Sequence, residues 1–148
     1  MKLRHTAMTV SLMLACAGQA QAQAAQDSLF QALGNEPGIS QIVDEMLALV
    51  LQDERIKASF KETNMPRLAK LLKEQFCVIS GGPCQYTGDD MKLVHENLGI
   101  NAAQFYALAE DLQIAMDKLD IASSTQNKLM AKLAPMKKDI VSPKPKPP

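Results

Sequence analysis

Apolar residues three and four positions apart recur along most of this chain, and nowhere do apolar and polar residues alternate for long. A period near 3.6 places such residues on one face of a helix, whereas a half-buried strand needs a period of two, so the expected fold class is all-α. The first long helix is expected to open near Asn35, with Pro37 in its first turn, and to end around Asp53. It carries Ile39, Ile42, Val43, Met46, Leu47, Leu49 and Val50, an apolar face broad enough for the centre of a core. A second helix follows Asn64, again with an early proline, Pro66, and sets Leu68, Leu71, Leu72, Phe76 and Ile79 on one side until Gly81-Gly82-Pro83 stops it. A short connector bearing Ile56 and Phe60 lies between them.

After the loop 81–88, Asp89 or Thr87 is expected to cap a short helix that holds His95 and stops at Gly99. Asn101 and Gln104 have the spacing of a capping box, opening a helix to about Leu119 with Phe105, Leu108, Leu112, Ala115 and Leu119 inward. Ser123 and Gln126 repeat that spacing and open a last helix with Leu129, Leu133, Met136 and Ile140. The sequence has no internal repeat.

Both ends differ from this pattern. Lys2 and Arg4 precede the uncharged run 6–18 and then a string of small and polar residues, the layout of a secretory signal peptide cleaved after Ala22 or Ala24. The run is shorter than the ~20 residues that span a bilayer, so no stable membrane insertion is expected after cleavage. Lipid modification at Cys16 is the rival reading, although Met13-Leu14-Ala15 fits it poorly. At the other end, the prolines of Ser142-Pro143-Lys144-Pro145-Lys146-Pro147-Pro148 remove donors and fix φ, leaving a solvated tail. The expected organisation is a signal peptide over 1–24, one helical domain over 25–141 and a Pro/Lys tail over 142–148, in a protein that is periplasmic or secreted.

Composition narrows the function classes. Of 148 residues, 47 % are apolar and 22 % charged, values that exclude a disordered or collagen-like chain. Lys and Arg number 16 against 16 acids, and without the two ends the balance falls to 12 against 16. Nucleic acid is not an expected partner, because phosphate binding needs an excess of basic side chains.

With the leader removed, His95 is the only histidine. Met91 and Leu98 would share its helix face, with Val94 beside it, so the imidazole points into apolar surroundings. Two explanations stay open: a core histidine bonded to a backbone carbonyl, or a metal ligand. One imidazole cannot build a protein-only zinc site. It is enough for an iron already held by the four nitrogens of a porphyrin.

The ordered pieces Leu33-Gly34-Asn35-Glu36-Pro37-Gly38-Ile39, Val50-Leu51-Gln52-Asp53-Glu54-Arg55-Ile56 with Phe60, Thr63-Asn64-Met65-Pro66-Arg67-Leu68, Gly81-Gly82-Pro83 with Tyr86-Thr87-Gly88, Met91-Lys92-Leu93-Val94-His95 and Leu98-Gly99-Ile100 carry a resemblance. Together, over residues 29–141, they resemble the group I truncated haemoglobins. The resemblance implies a two-over-two helical sandwich holding haem b, with His95 as proximal iron ligand and Met91 and Val94 beside the cofactor. It sets Phe60 against the porphyrin, Leu68 on the distal helix facing the iron, and Ile100 and Phe105 on the proximal side. Lys92 is either a propionate partner or a solvent-exposed lysine. Leu108 and Leu112 are either porphyrin contacts or simple core.

Departures from the family pattern bear on reactivity. Met46 and Leu47 stand where phenylalanine and tyrosine are usual, and Leu72 where many members carry a distal glutamine, so both expected hydrogen-bond donors are missing. Such a donor stabilises a partly charged ligand by about 1.5–3 kcal/mol, so faster oxygen release is expected, with carbon monoxide and nitric oxide less affected. The resemblance implies a monomer that binds diatomic gases reversibly, for oxygen binding, transport or sensing, with an unidentified reductase. Alternatives are a nitric oxide dioxygenase or peroxidase, an electron carrier with Met46 as sixth ligand, and a cofactor-free helical interaction module. Catalytic residues are not expected.

Cys77 and Cys84 lie at the end of the second helix and in the loop after it. In an exported protein a disulfide is the natural inference; reduced thiols that sense oxidants are the alternative. The spacing is not that of a Cys-x-x-Cys redox centre.

Overall fold

A computed structural model describes residues 28–142; the expected signal peptide with Cys16 and the prolines of the tail lie outside the described residues. Those residues form seven α-helices and two 3-10 turns and no strand. The helices are α1 (Leu29–Ala32), α2 (Asn35–Val50), α3 (Met65–Ile79), α4 (Met91–His95), α5 (Ala102–Lys118), α6 (Ser123–Leu133) and α7 (Lys137–Ile140). One 3-10 turn, Lys57–Phe60, links α2 to α3; the other, Ala134–Met136, joins α6 to α7.

Helix α2 is the spine. Its apolar face buries Ile39, Ile42, Val43, Met46, Leu47 and Val50, and it packs on α3 on one side and α5 on the other. With α6 against α5 and α3, this is the expected two-over-two arrangement. Phe76, Leu112, Ala115, Met116 and Leu129 close the core from the other three helices. Full burial of each large apolar side chain contributes roughly 1.5–3 kcal/mol, so the spine dominates the stability of the fold.

The entry to α2 depends on a close backbone approach. Gly34 has φ +82°, and the Gly38 N–H donates to its carbonyl at 3.0 Å. A Cβ at Gly38 would stand 2.1 Å from the Leu33 carbonyl oxygen, so only glycine fits there. Helix α3 opens as expected, with the Asn64 side chain accepting from Arg67 N and Pro66 in the first turn. It ends at Gly81, φ +88°, where the left-handed conformation stops the helix.

Three expectations about helix ends are corrected. Helix α4 is capped by Asp90, whose Oδ1 accepts from Lys92 N and Leu93 N at 2.9 and 3.1 Å; neither Asp89 nor Thr87 caps it. It ends at His95 and not at Gly99, because Glu96 is extended and Asn97 has φ +67°. Leu98 is consequently 60 % exposed and shares no buried face with His95. The Asn101–Gln104 capping box forms as read, but Ser123 caps nothing. Ala122 occupies that position, and the Gln126 amide donates instead to Asp117 Oδ1 and Ile121 O, at 2.7 and 2.8 Å, fastening the turn between α5 and α6. The last helix is broken into three pieces at Pro135, which has no N–H to continue the ladder.

Candidate functional site

Short as it is, α4 is held by its N-terminal cap and by the loop before it. Asp90 satisfies its first N–H groups, and the loop leading to it is fastened to α3. Cys77 on α3 and Cys84 in the loop form a disulfide. One turn before Cys77, the Glu74 carboxylate accepts from Thr87 N at 2.9 Å and from its hydroxyl at 2.8 Å, while Lys70 Nζ pairs with its other oxygen at 2.7 Å. Lys70, and after it the Thr87 N–H and hydroxyl, hold the Glu74 carboxyl down at about 2. Gly82 lies under this clamp, where a Cβ would meet the Phe30 ring at 2.5 Å and Cys77 Sγ at 2.6 Å.

The clamp fixes where His95 stands. Its Nδ1 lies 2.7 Å from the Met91 carbonyl oxygen. A carbonyl can only accept, so Nδ1 carries a proton, and in the neutral ring this leaves the lone pair on Nε2, the tautomer in which an imidazole ligates a metal through Nε2. Nature favours this pairing for metal-binding histidines because the bond fixes the ring and raises its basicity.

His95 lines a cavity of about 390 Å³, within the range of small-molecule and cofactor sites. Met46 comes from α2; Leu72, Gln75 and Phe76 from α3; Met91 from α4. Helix α5 adds Phe105, Tyr106, Leu108 and Leu112, and the broken C-terminal helix closes the space with Met130, Leu133, Met136 and Ile140. The wall is almost wholly apolar, without a carboxylate, lysine or arginine. At the rim, the exposed Tyr106 accepts a hydrogen bond from Lys137 Nζ at 2.6 Å.

These residues fit a macrocyclic iron better than a bare ion. Among the described residues no three His, Cys, Asp or Glu side chains gather to ligate a metal, whereas one imidazole with a free lone pair in an apolar cavity is what haem requires of a protein.

The structure brings together Met46, Leu72, Met91, His95 and Phe105 on this wall, with Leu108 and Leu112. Leu47 is buried in the core at 6 % exposure and does not line the cavity. Phe60 and Leu68 are half-buried against that core, also away from the wall. Ile100 is half-buried, its carbonyl accepting from Ser142 N at 2.8 Å, and Lys92 and Val94 are exposed on α4. Sequence reasoning missed Gln75, Tyr106 and Met130. Gln75 follows Leu72 by three and Leu68 by seven, so its place on that face of α3 was there to be read.

Comparison with known proteins gives a consistent picture. Residues 28–142 match the family described as bacterial-like globin. A group 1 truncated hemoglobin GlbN from Mycolicibacterium paratuberculosis is 31 % identical over 115 residues, 78 % of this chain and 85 % of that protein. One from Tetrahymena thermophila is 30 % identical over 97 residues, 66 % of this chain and 80 % of the relative. Among solved structures, the Fe(III) form of truncated hemoglobin from Tetrahymena pyriformis superimposes with a TM-score of 0.75 at 26 % identity, covering 78 % of this chain and 98 % of that one.

Proposed function

Because this chain belongs to the bacterial-like globin family, among the group 1 truncated haemoglobins, we propose that it holds haem b beside His95 and binds a diatomic gas there reversibly, in oxygen binding, transport or gas sensing. The observation that carries this reading is His95 itself, fixed by its Nδ1–H bond to Met91 O and set in the wall of the apolar cavity. When bound, the iron takes four nitrogens from the porphyrin and one from a histidine, leaving one position for a gas.

The chain's own residues supply the rest. Nδ1–H donation to a carbonyl makes Nε2 a stronger donor to metal. Met46, Leu72, Phe76 and Leu112 line the cavity with apolar surface that keeps water out, and a dry wall without charge favours small neutral ligands over anions. A peroxidase needs a general acid or base at the reacting oxygen; besides His95 this wall offers only Tyr106, which is exposed at the rim and bonded to Lys137. That favours a binder over the enzymatic alternatives. The leader-like layout of 1–24 supports an exported protein, and the Cys77–Cys84 bridge suits an oxidising compartment.

Purified protein loaded with hemin and reduced provides the test. Spectral changes with carbon monoxide and with oxygen that reverse on degassing are the expected result. Sustained nitrate production over many cycles on mixing the oxygen-equilibrated protein with nitric oxide would make it an enzyme instead.

A further inference from the structure

The two ends of the Cys77–Cys84 bridge stand in different surroundings. Cys77 is 1 % exposed, and its Sγ is covered by the turn at Gly82, where an added Cβ would lie 2.6 Å from it. Cys84 is half-buried and lines an open groove of about 640 Å³ between the starts of α2 and α3. Glu36 and Ser40 face this groove from α2, and Lys70, Lys73 and Glu74 from α3, so it carries charge of both signs, unlike the cavity beside His95. Lys70 is held by Glu74, but Lys73 pairs with Asp44, whose side chain is 59 % exposed. Such a surface ion pair gives up its partner at little cost. A thiolate breaks a disulfide by attacking the sulfur it can reach, and here access favours Cys84 over Cys77.

We propose that Cys84 is a site of reversible thiolation by a small charged thiol, one bearing both carboxylate and amine, and that this exchange loosens the protein's hold on haem. The incoming thiolate sulfur bonds to Cys84 Sγ, the Cys77–Cys84 bond breaks, and its electron pair leaves on Cys77, which takes up the proton that the incoming thiol gave to water. A disulfide and a thiol go in and a disulfide and a thiol come out, so no oxidant or reductant is consumed. Cys77, held under Gly82, re-forms the bridge by attacking the mixed disulfide once free thiol is withdrawn. While the bridge is open, the loop 81–88 has lost its covalent tie to α3, and Thr87, bonded to Glu74 and Lys70, is left to hold the loop that leads to α4 and His95. The effect on haem rests on the reading above; the exchange at Cys84 does not.

The test treats the disulfide-bonded protein with reduced glutathione, quenches with acid, alkylates and digests. A mixed disulfide on the Cys84 peptide with alkylated Cys77 is the expected result. Lys73→Ala is expected to form it about two- to fivefold more slowly with glutathione, the size of a surface charge effect, and at an unchanged rate with neutral 2-mercaptoethanol. An adduct on Cys77, no adduct until urea unfolds the chain, or the same response of both thiols to Lys73→Ala would overturn the site. For the second half, Cys77→Ser is thiolated at Cys84 with glutathione disulfide, freed of excess thiol and loaded with hemin. It is expected to pass haem to excess apomyoglobin about two- to tenfold faster than the bridged wild type, less than the 10–100-fold that loss of a direct outer-shell partner brings. Equal rates would overturn the coupling. Should Cys77→Ser fail to fold by circular dichroism, the wild type held in excess glutathione gives the same comparison. A wild type without a Soret band in excess hemin would overturn the haem reading instead, a result told apart because the Cys84 adduct still forms.

Discussion

Glu74 on α3 accepts two hydrogen bonds from Thr87, one from its N–H at 2.9 Å and one from its hydroxyl at 2.8 Å, and thereby ties α3 to the loop that leads to His95. With Lys70 beside it, the carboxyl is depressed from 4.5 to about 2. A depressed acid stabilises the fold fully above its unfolded value and loses that contribution as pH falls through the folded one. Glu74→Gln is expected to melt at a lower temperature than wild type at pH 6, with the gap shrinking below 4.5 and closing near 2. Thermal melts across that range check it; a gap independent of pH would mean the carboxylate's charge plays no part.

The Cys77–Cys84 bridge closes a short loop over the same junction. In the chain-entropy picture such a loop contributes about 2–3 kcal/mol. Cys77→Ser with Cys84→Ser is therefore expected to lower the melting temperature by about 6–18 °C for a domain of this size. A melt with and without reductant gives the same comparison on wild type.

Gly38 tests the packing of α1 against α2. Alanine is worth up to ~1 kcal/mol over glycine in a helix interior, but here its Cβ would stand 2.1 Å from the Leu33 carbonyl oxygen. The clash outweighs the propensity, and Gly38→Ala is expected to destabilise by about 1–3 kcal/mol in urea unfolding. A neutral or stabilised variant would show that the backbone relaxes there.

Asp111 is 4 % exposed, and its Oδ2 has no hydrogen-bond partner. Burial, and then the charge of Asp53, push its carboxyl up, with Arg55 opposing and Glu110 adding to the rise. A raised acid works in the opposite sense from Glu74: stability falls as pH climbs from the unfolded value of 3.8 through the folded one. Asp111→Asn is expected to raise the melting temperature at pH 7, with the gain fading as pH falls toward 3.8 and absent below it. Melts at pH 7 and pH 3.5 measure both arms.

What could be read from residue order and what could not divide along physical lines. The Asn101–Gln104 box and the Asn64 cap with Pro66 are settled by bonds within one turn, so local pattern finds them. The end of α4 depends on Asn97 adopting φ +67°, a conformation that residue identity permits but does not require. The Ser123–Gln126 pair has a capping pattern too, yet the Gln126 amide finds stronger partners in Asp117 and Ile121 across the turn. His95 could be singled out because the other histidine, His5, lies in the leader-like segment 1–24. The spacing of Gln75 on α3 could be read, but its two thioether neighbours, Met91 and Met136, come from other elements and could not.

The visible spectrum of the hemin-loaded protein, ferric and ferrous, beside that of His95→Ala tests the central claim most directly. A Soret band in the wild type that is lost or altered in the variant is the result expected if Nε2 of His95 ligates the iron. A colourless wild type in excess hemin, or a variant whose ferrous spectrum superimposes on the wild type's, would contradict it.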